Sequence, residues 1–252
     1  MKKQTLLVLF TIVAFSINAQ DFKQSLQGIT KVKLMSTNDI IVKSHDKNEI
    51  LIESNGHKRP EKAKGLKAIY AGGTDNTGLG INVEKNGDVL EVTNLKNMHG
   101  PKMVVYISES VAVHAECKTV GDLNISGFKS EIEVKATAGT IKILDVTGPV
   151  IAKASAGDIT VEFSKVNQSS PISIYSSAGD VDIKLPANTA ANLDLRSTMG
   201  EIYTDFDLKF SNEKKDMKIL SGRRHLKTEI NNGGVGITLR SSVGDIYLRK
   251  SK

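Results

Sequence analysis

The sequence predicts an all-β chain wound as a parallel β-solenoid (β-helix-like) of repeated strand-turn units. Three observations carry that expectation: a seven-residue phrase that recurs, an apolar-polar-apolar triplet closing each copy, and near-constant spacing between copies. The phrase is clearest at residues 155–161 (SAGDITV). It returns at 119–125 (TVGDLNI), 137–143 (TAGTIKI), 177–183 (SAGDVDI), 198–204 (TMGEIYT) and 242–248 (SVGDIYL). A further copy, 36–42 (STNDIIV), has Asn38 where the others place Gly121, Gly139, Gly157, Gly179, Gly200 and Gly244. The turn residue is expected at positive φ, which Gly adopts freely and Asn next most readily. The triplet after it alternates as a strand with one buried face does.

The glycines from 121 to 200 are separated by 18, 18, 22 and 21 residues, and a gap of 44 precedes Gly244. Fixed-period units of this length indicate stacked rungs. Equivalent residues of neighbouring rungs then lie ~4.8 Å apart. Ile141, Ile159 and Val181 would stack as one buried column beside Ile143, Val161 and Ile183. A β-sandwich of short strands is the alternative.

Residues 1–19 read as a secretory signal peptide. Lys2 and Lys3 precede a dozen apolar residues, and Asn18-Ala19-Gln20 offers a small residue at the cut. No transmembrane segment is expected after its removal. Taking away Lys2 and Lys3 leaves 32 basic against 28 acidic residues, a formal charge of +4. That excess is too mild to suggest nucleic acid. With no Trp and 5% aromatic residues, the chain also lacks the girdles of a membrane barrel. The single Cys117 excludes an intramolecular disulfide, and its phase with Val111 and Val113 points it into the core.

Taken in order, an N-terminal β-strand region (20–118) precedes the repeat solenoid (119–252), the two read as one continuous domain. Strands are expected at 29–35, 50–53, 81–84, 89–92 and 103–107. Asn86-Gly87-Asp88 makes the hairpin turn between the third and fourth of these. Residues 56–80 form a long polar loop with a break at Gly72-Gly73. Between copies of the phrase lies a second short strand, at 131–134, 150–154, 171–175 and 191–196. SNEKKD at 211–216 interrupts the register, and the charged last strand (246–252) is expected to guard an open edge with Arg249, Lys250 and Lys252.

The segment from INNGG (230–234) through SSVGDIYL (241–248), with the earlier Gly-Asp-Ile copies, resembles the putative-adhesin family of β-strand-repeat domains of unknown function. Such domains are common in exported bacterial proteins. A signal ending Asn-Ala-Gln is also similar to those of Bacteroidetes envelope proteins. The resemblance covers most of the mature chain, is strongest over 103–248, and weakens at the 56–80 loop and after Tyr203. It implies a β-solenoid in the periplasm or at the cell surface, with adhesion as the customary expectation and no catalytic residues to carry over.

The candidate sites are few. Asp39, Asp122, Asp158, Asp180, Glu201 and Asp245 share one motif position. A stacked carboxylate column suggests Ca²⁺ or a polysaccharide-active enzyme. One carboxylate per period, broken at Thr140, favours turn residues that bond the local backbone. The hydroxyls Ser36, Thr119, Thr137, Ser155, Ser177, Thr198 and Ser242 read as turn caps. His45, His57, His99, His114 and His225 match no metal-ligand spacing. Arg223, Arg224 and Lys227 form the candidate anionic-ligand patch, suited to lipopolysaccharide phosphate or an acidic glycan. The expected protein is therefore a non-catalytic envelope protein without cofactor or metal. It would bind envelope polysaccharide, lipopolysaccharide or a protein partner, or self-associate as a scaffold.

Overall fold

The computed structural model describes residues 21–54, 60–66, 68–208 and 224–251. The expected signal peptide, part of the 56–80 loop and the SNEKKD insertion lie outside them. The chain first lays down β1 (Phe22–Ser25), β2 (Lys31–Ser36), β3 (Ile40–His45) and β4 (Glu49–Ile52). A 3-10 turn at Glu61–Ala63 and a small hairpin of β5 (Ile69–Tyr70) and β6 (Gly73–Thr74) follow. The Asn-Gly-Asp turn joins β7 (Ile81–Asn86) to β8 (Val89–Asn94), with Gly87 at φ 62°. Next come β9 (Met103–Ser108), β10 (Ala112–Val120) and β11 (Leu123–Ser126). The repeat supplies β12 (Ile132–Ala138), β13 (Ile141–Val146), β14 (Val150–Ala156), β15 (Ile159–Phe163), β16 (Ile172–Ala178) and β17 (Val181–Pro186). The chain ends with β18 (Ala191–Ser197), β19 (Ile202–Thr204), β20 (Arg224–Ile230), β21 (Val235–Val243) and β22 (Ile246–Ser251).

These strands build a parallel β-solenoid with two strands per rung, one in each of two ten-stranded sheets. The first sheet runs β1-β4-β9-β3-β11-β13-β15-β17-β22-β19. The second runs β20-β18-β21-β16-β14-β12-β10-β2-β8-β7. The core lies between them, because alternation sends one face of every strand inward. Ile40, Leu123, Ile141, Ile159, Val181 and Ile246 pair in register along the first sheet, all fully buried. Val32, Val113, Ile132 and Val150 form the facing row in the second. Each buried Val or Ile contributes roughly 1.5–3 kcal/mol before conformational entropy is counted.

Rung order departs from chain order at both ends. The β2–β3 rung sits between β8–β9 and β10–β11, and the last rung, β21–β22, is inserted between β16–β17 and β18–β19. The expected edge role of the final strand is therefore wrong. β22 is flanked by β17 and β19, and Arg249 bonds Asp182 instead of guarding an edge. Among the described residues, three of the four ends of the two sheets are closed by antiparallel strands, β7 on β8, β4 on β9 with β1 beyond it, and β20 on β18, while parallel β19 ends the first sheet.

The turn glycines are required by close approach more than by φ. Positive φ occurs at Gly139, Gly157, Gly179 and Gly244 but not at Gly121, Gly200 or Asn38. A Cβ on Gly157 would overlap the carbonyl oxygen of Gly139, and one on Gly200 that of Gly244. The rungs thus touch backbone to backbone at this corner. Asn38 is there for a different reason: it is a buried polar hub. Its Oδ1 accepts from Ser36 Oγ (2.5 Å) and Asn94 Nδ2 (2.8 Å), while its Nδ2 donates to the carbonyls of Gly100 and Pro101.

Candidate anion-binding face

The motif carboxylates form a ladder between rungs. Asp39 Oδ1 accepts the N–H of Asp122 (3.0 Å), and Asp122 that of Thr140 (2.8 Å). Asp158 accepts from Asp180, Asp180 from Asp245, and Asp245 from Glu201, each at 2.8 Å. The bonds reach the next rung's backbone rather than the residue's own turn, which corrects the local-bonding expectation. Parallel stacking brings the next amide within reach of a side chain one residue past the glycine. One oxygen of each of these carboxylates is thereby committed. Among the described residues no group of three or more His, Cys, Asp or Glu is arranged to hold a metal ion.

The hydroxyl column also behaves differently from the expectation. The inward-facing neighbour does most of the capping: Ser176 donates to Gly157 O, Ser241 to Gly179 O and Ser197 to Gly244 O, at 2.9–3.0 Å. Cys117 takes the same place beneath Asn38 O, its Sγ at 3.7 Å, and burial pushes its thiol pKa up. Of the motif hydroxyls, Thr119 caps Thr37 O. Ser177 and Ser242 bond the Tyr175 hydroxyl (3.0 and 3.2 Å). Among the described residues the hydroxyls of Thr137, Ser155 and Thr198 make no hydrogen bond.

Beside these hydroxyls, on the outer face of the second sheet, lies a row of cations that sequence reading missed. Register places Lys135, Lys153, Tyr175, Arg240, Arg196 and His225 side by side on successive strands. Lys135 is engaged by Glu133 at 2.8 Å, and His225 by Asp194 at 2.9 Å. Lys153, Arg240 and Arg196 have no carboxylate partner among the described residues. With Ser173, Thr238, Thr198 and Ser242 they line a groove of about 680 Å³. Tyr175 sits within it, its phenol pKa lowered by the hydrogen bonds from Ser177 and Ser242 and by the charge of Lys153. The signal in the sequence was strand phase: Lys135, Lys153, Arg196 and Arg240 each lie two residues before a motif hydroxyl.

Of the predicted patch, Lys227 lies on β20, two residues beyond His225. Lys227 reaches Asp194 at 3.8 Å, Arg223 lies outside the described residues, and of Arg224 only the backbone is described. His45 meets Glu49 O, His114 bonds Glu133, and His57 lies outside the described residues. Glu133 is held down to about 2, chiefly by Lys135 and then by His114.

Fold and site together define an all-β parallel solenoid with a polar, cationic outer face; among the described residues no helix is long and apolar enough to cross a membrane. The chain belongs to the Toastrack DUF4097 family, whose sequence model matches residues 84–249. Its fold is similar to that of a crystallised "putative cell adhesion protein" from Clostridium sporogenes ATCC 15579. The TM-score is 0.46 at 11% identity, over 92% of this chain and 99% of that one. A "putative adhesin" from Bacteroides fragilis NCTC 9343 gives 0.46 at 13% identity, over 92% and 96%. No curated protein matches the chain.

Proposed function

We propose that this is an exported, non-catalytic interaction protein that holds an anionic envelope polymer along the outer face of its second sheet. The observation that carries this reading is the row of Lys153, Arg240 and Arg196, three cations without a carboxylate partner among the described residues, next to hydroxyls. Guanidinium groups take phosphate or carboxylate bidentately, and hydroxyls complete the cradle. Strands spaced ~4.8 Å apart repeat the donors along a line, which suits a linear polymer better than a compact ligand. The N-terminal stretch 1–19, which reads as a signal peptide, supports export. The enzyme alternative loses its motivation, since the ladder carboxylates that suggested it are engaged with backbone amides.

The test uses the chain from Gln20 onward with purified lipopolysaccharide and with a carboxylated glycan such as alginate. Binding should weaken at least tenfold in the Arg196→Ala, Arg240→Ala double variant and fall with added salt. Binding unchanged by that variant, or none to either polymer, would refute the reading. Protease access to a tagged chain on intact and on lysed cells separates surface from periplasm.

A further inference from the structure

The first sheet carries a second groove of different chemistry, at the end where β19 forms its edge. Tyr203 and Tyr247 are register partners on β19 and β22, and their rings stack with centroids 5.3 Å apart and planes 11° from parallel. Tyr247 is fixed from two directions. Its hydroxyl donates to Asp245 Oδ2 at 3.0 Å, and the Arg249 guanidinium lies 4.9 Å from its ring centroid. Arg249 is itself held by Asp182, its Nε donating to both carboxylate oxygens at 2.9 and 3.1 Å. Tyr203 is the free member of the stack. It is 50% exposed, on the edge strand, and its hydroxyl has no partner among the described residues.

The groove beside this stack has a volume of about 710 Å³ and reaches Lys184 on β17 and Glu162 on β15, two and three strands in from the β19 edge. Its cations each meet a carboxylate of the chain, and Asp205 in its wall accepts the Lys250 backbone N–H at 2.8 Å. Lys184 meets Glu162 at 3.4 Å, Arg249 meets Asp182, and Lys250 lies 3.7 Å from Asp207. A charge-balanced groove does not select a polyanion. It still offers carboxylate lone pairs and N–H donors to hydroxyl groups, next to an aromatic face. A pyranose ring has complementary chemistry: its axial C–H bonds give an apolar, weakly positive face for the negative face of an aromatic ring. Its hydroxyls supply donors and acceptors around the rim.

We infer that this groove binds a neutral oligosaccharide, with one pyranose ring against Tyr203 and its neighbours bonded to the paired charges beyond. Tyr247 and Arg249 act as positioning residues that hold the Tyr203 ring. The site is separate from the cationic row, which lies on the other sheet.

The experiment titrates the chain from Gln20 onward with maltohexaose, cellohexaose, mannohexaose and chitohexaose. It follows tyrosine emission and saturation-transfer NMR; with five Tyr and no Trp in the chain, tyrosine emission is unobscured. At least one of these probes should bind, at least fivefold more weakly in Tyr203→Ala and within twofold of the parent in Tyr203→Phe. The Arg196→Ala, Arg240→Ala variant should bind it as the parent does. If Tyr203→Ala fails to fold, Tyr203→Leu, which keeps apolar bulk without a ring face, takes its place. No binding by any of the four, or equal binding by the ring-deleted variant, would overturn the inference. Loss in the double arginine variant alone would assign the sugar to the second sheet and overturn it equally.

Discussion

Asp180 accepts the backbone N–H of Asp245 at 2.8 Å, although 65 residues separate them in the chain. The residue that follows Asp180 in motif order, Glu201, bonds to Asp245 instead. This pairing shows that the carboxylate ladder reads spatial order, with the C-terminal rung inserted inside the coil. Replacing Asp180 with Ala should cost about 1–2 kcal/mol, the worth of a charge-assisted hydrogen bond that is partly solvated. Asp180→Asn, which keeps an acceptor, should cost less than half of that. Urea midpoints of the two variants check it.

The same insertion predicts how a truncation behaves. Removing residues 232–252 takes away the rung that both β16–β17 and β18–β19 pair with. In a coil stacked in chain order, losing the last rung would leave the rest intact. Here the truncated chain should lose cooperative folding of everything after β17, seen as a broadened thermal transition and rapid proteolysis beyond residue 186.

Gly157 should tolerate no side chain. Alanine there combines a φ of 132° with overlap onto the Gly139 carbonyl, and should destabilise by about 2–4 kcal/mol. Gly28→Ala is the control. Its φ is 72° but nothing lies within 4 Å of the added methyl, so the cost should stay near 1–2 kcal/mol. Thermal denaturation of both variants separates the two effects.

The adjacent serines 241 and 242 should separate cleanly. Ser241 is buried and donates to Gly179 O, so Ser241→Ala should cost about 1 kcal/mol. Ser242 bonds only the Tyr175 hydroxyl on the groove side, and Ser242→Ala should change stability by under about 0.5 kcal/mol. Chemical denaturation distinguishes them.

Acid should weaken the fold through Glu133. Lys135, and secondarily His114, lower its carboxyl from 4.5 to about 2. A depressed folded-state pKa contributes stability that is fully present above the unfolded value and is lost as pH falls through the folded one. The loss therefore runs from about pH 4.5 down to about 2, and amounts to about 1 kcal/mol for this solvent-screened cluster. Glu133→Gln should remove that component from a plot of stability against pH.

The solenoid itself was legible in residues 155–161 and their copies, because a two-residue period and a turn glycine are local properties that every rung repeats. The strands, the Asn-Gly hairpin and the inward phase of Cys117 followed from the same local rule. Other features needed tertiary structure. Asn38 looked like a substitute for a left-handed glycine, whereas its amide satisfies four partners drawn from residues 36, 94, 100 and 101. Both candidate grooves depend on neighbours across strands: Arg240 lies beside Arg196, and Tyr247 beside Tyr203, through pairings 44 residues apart. The sequence by itself determined which face of each strand is buried, since alternation is written residue by residue. Only the folded chain decided which rungs are neighbours. Identical strand-turn units pair almost equally well, so their order is set by the long connections and the end strands.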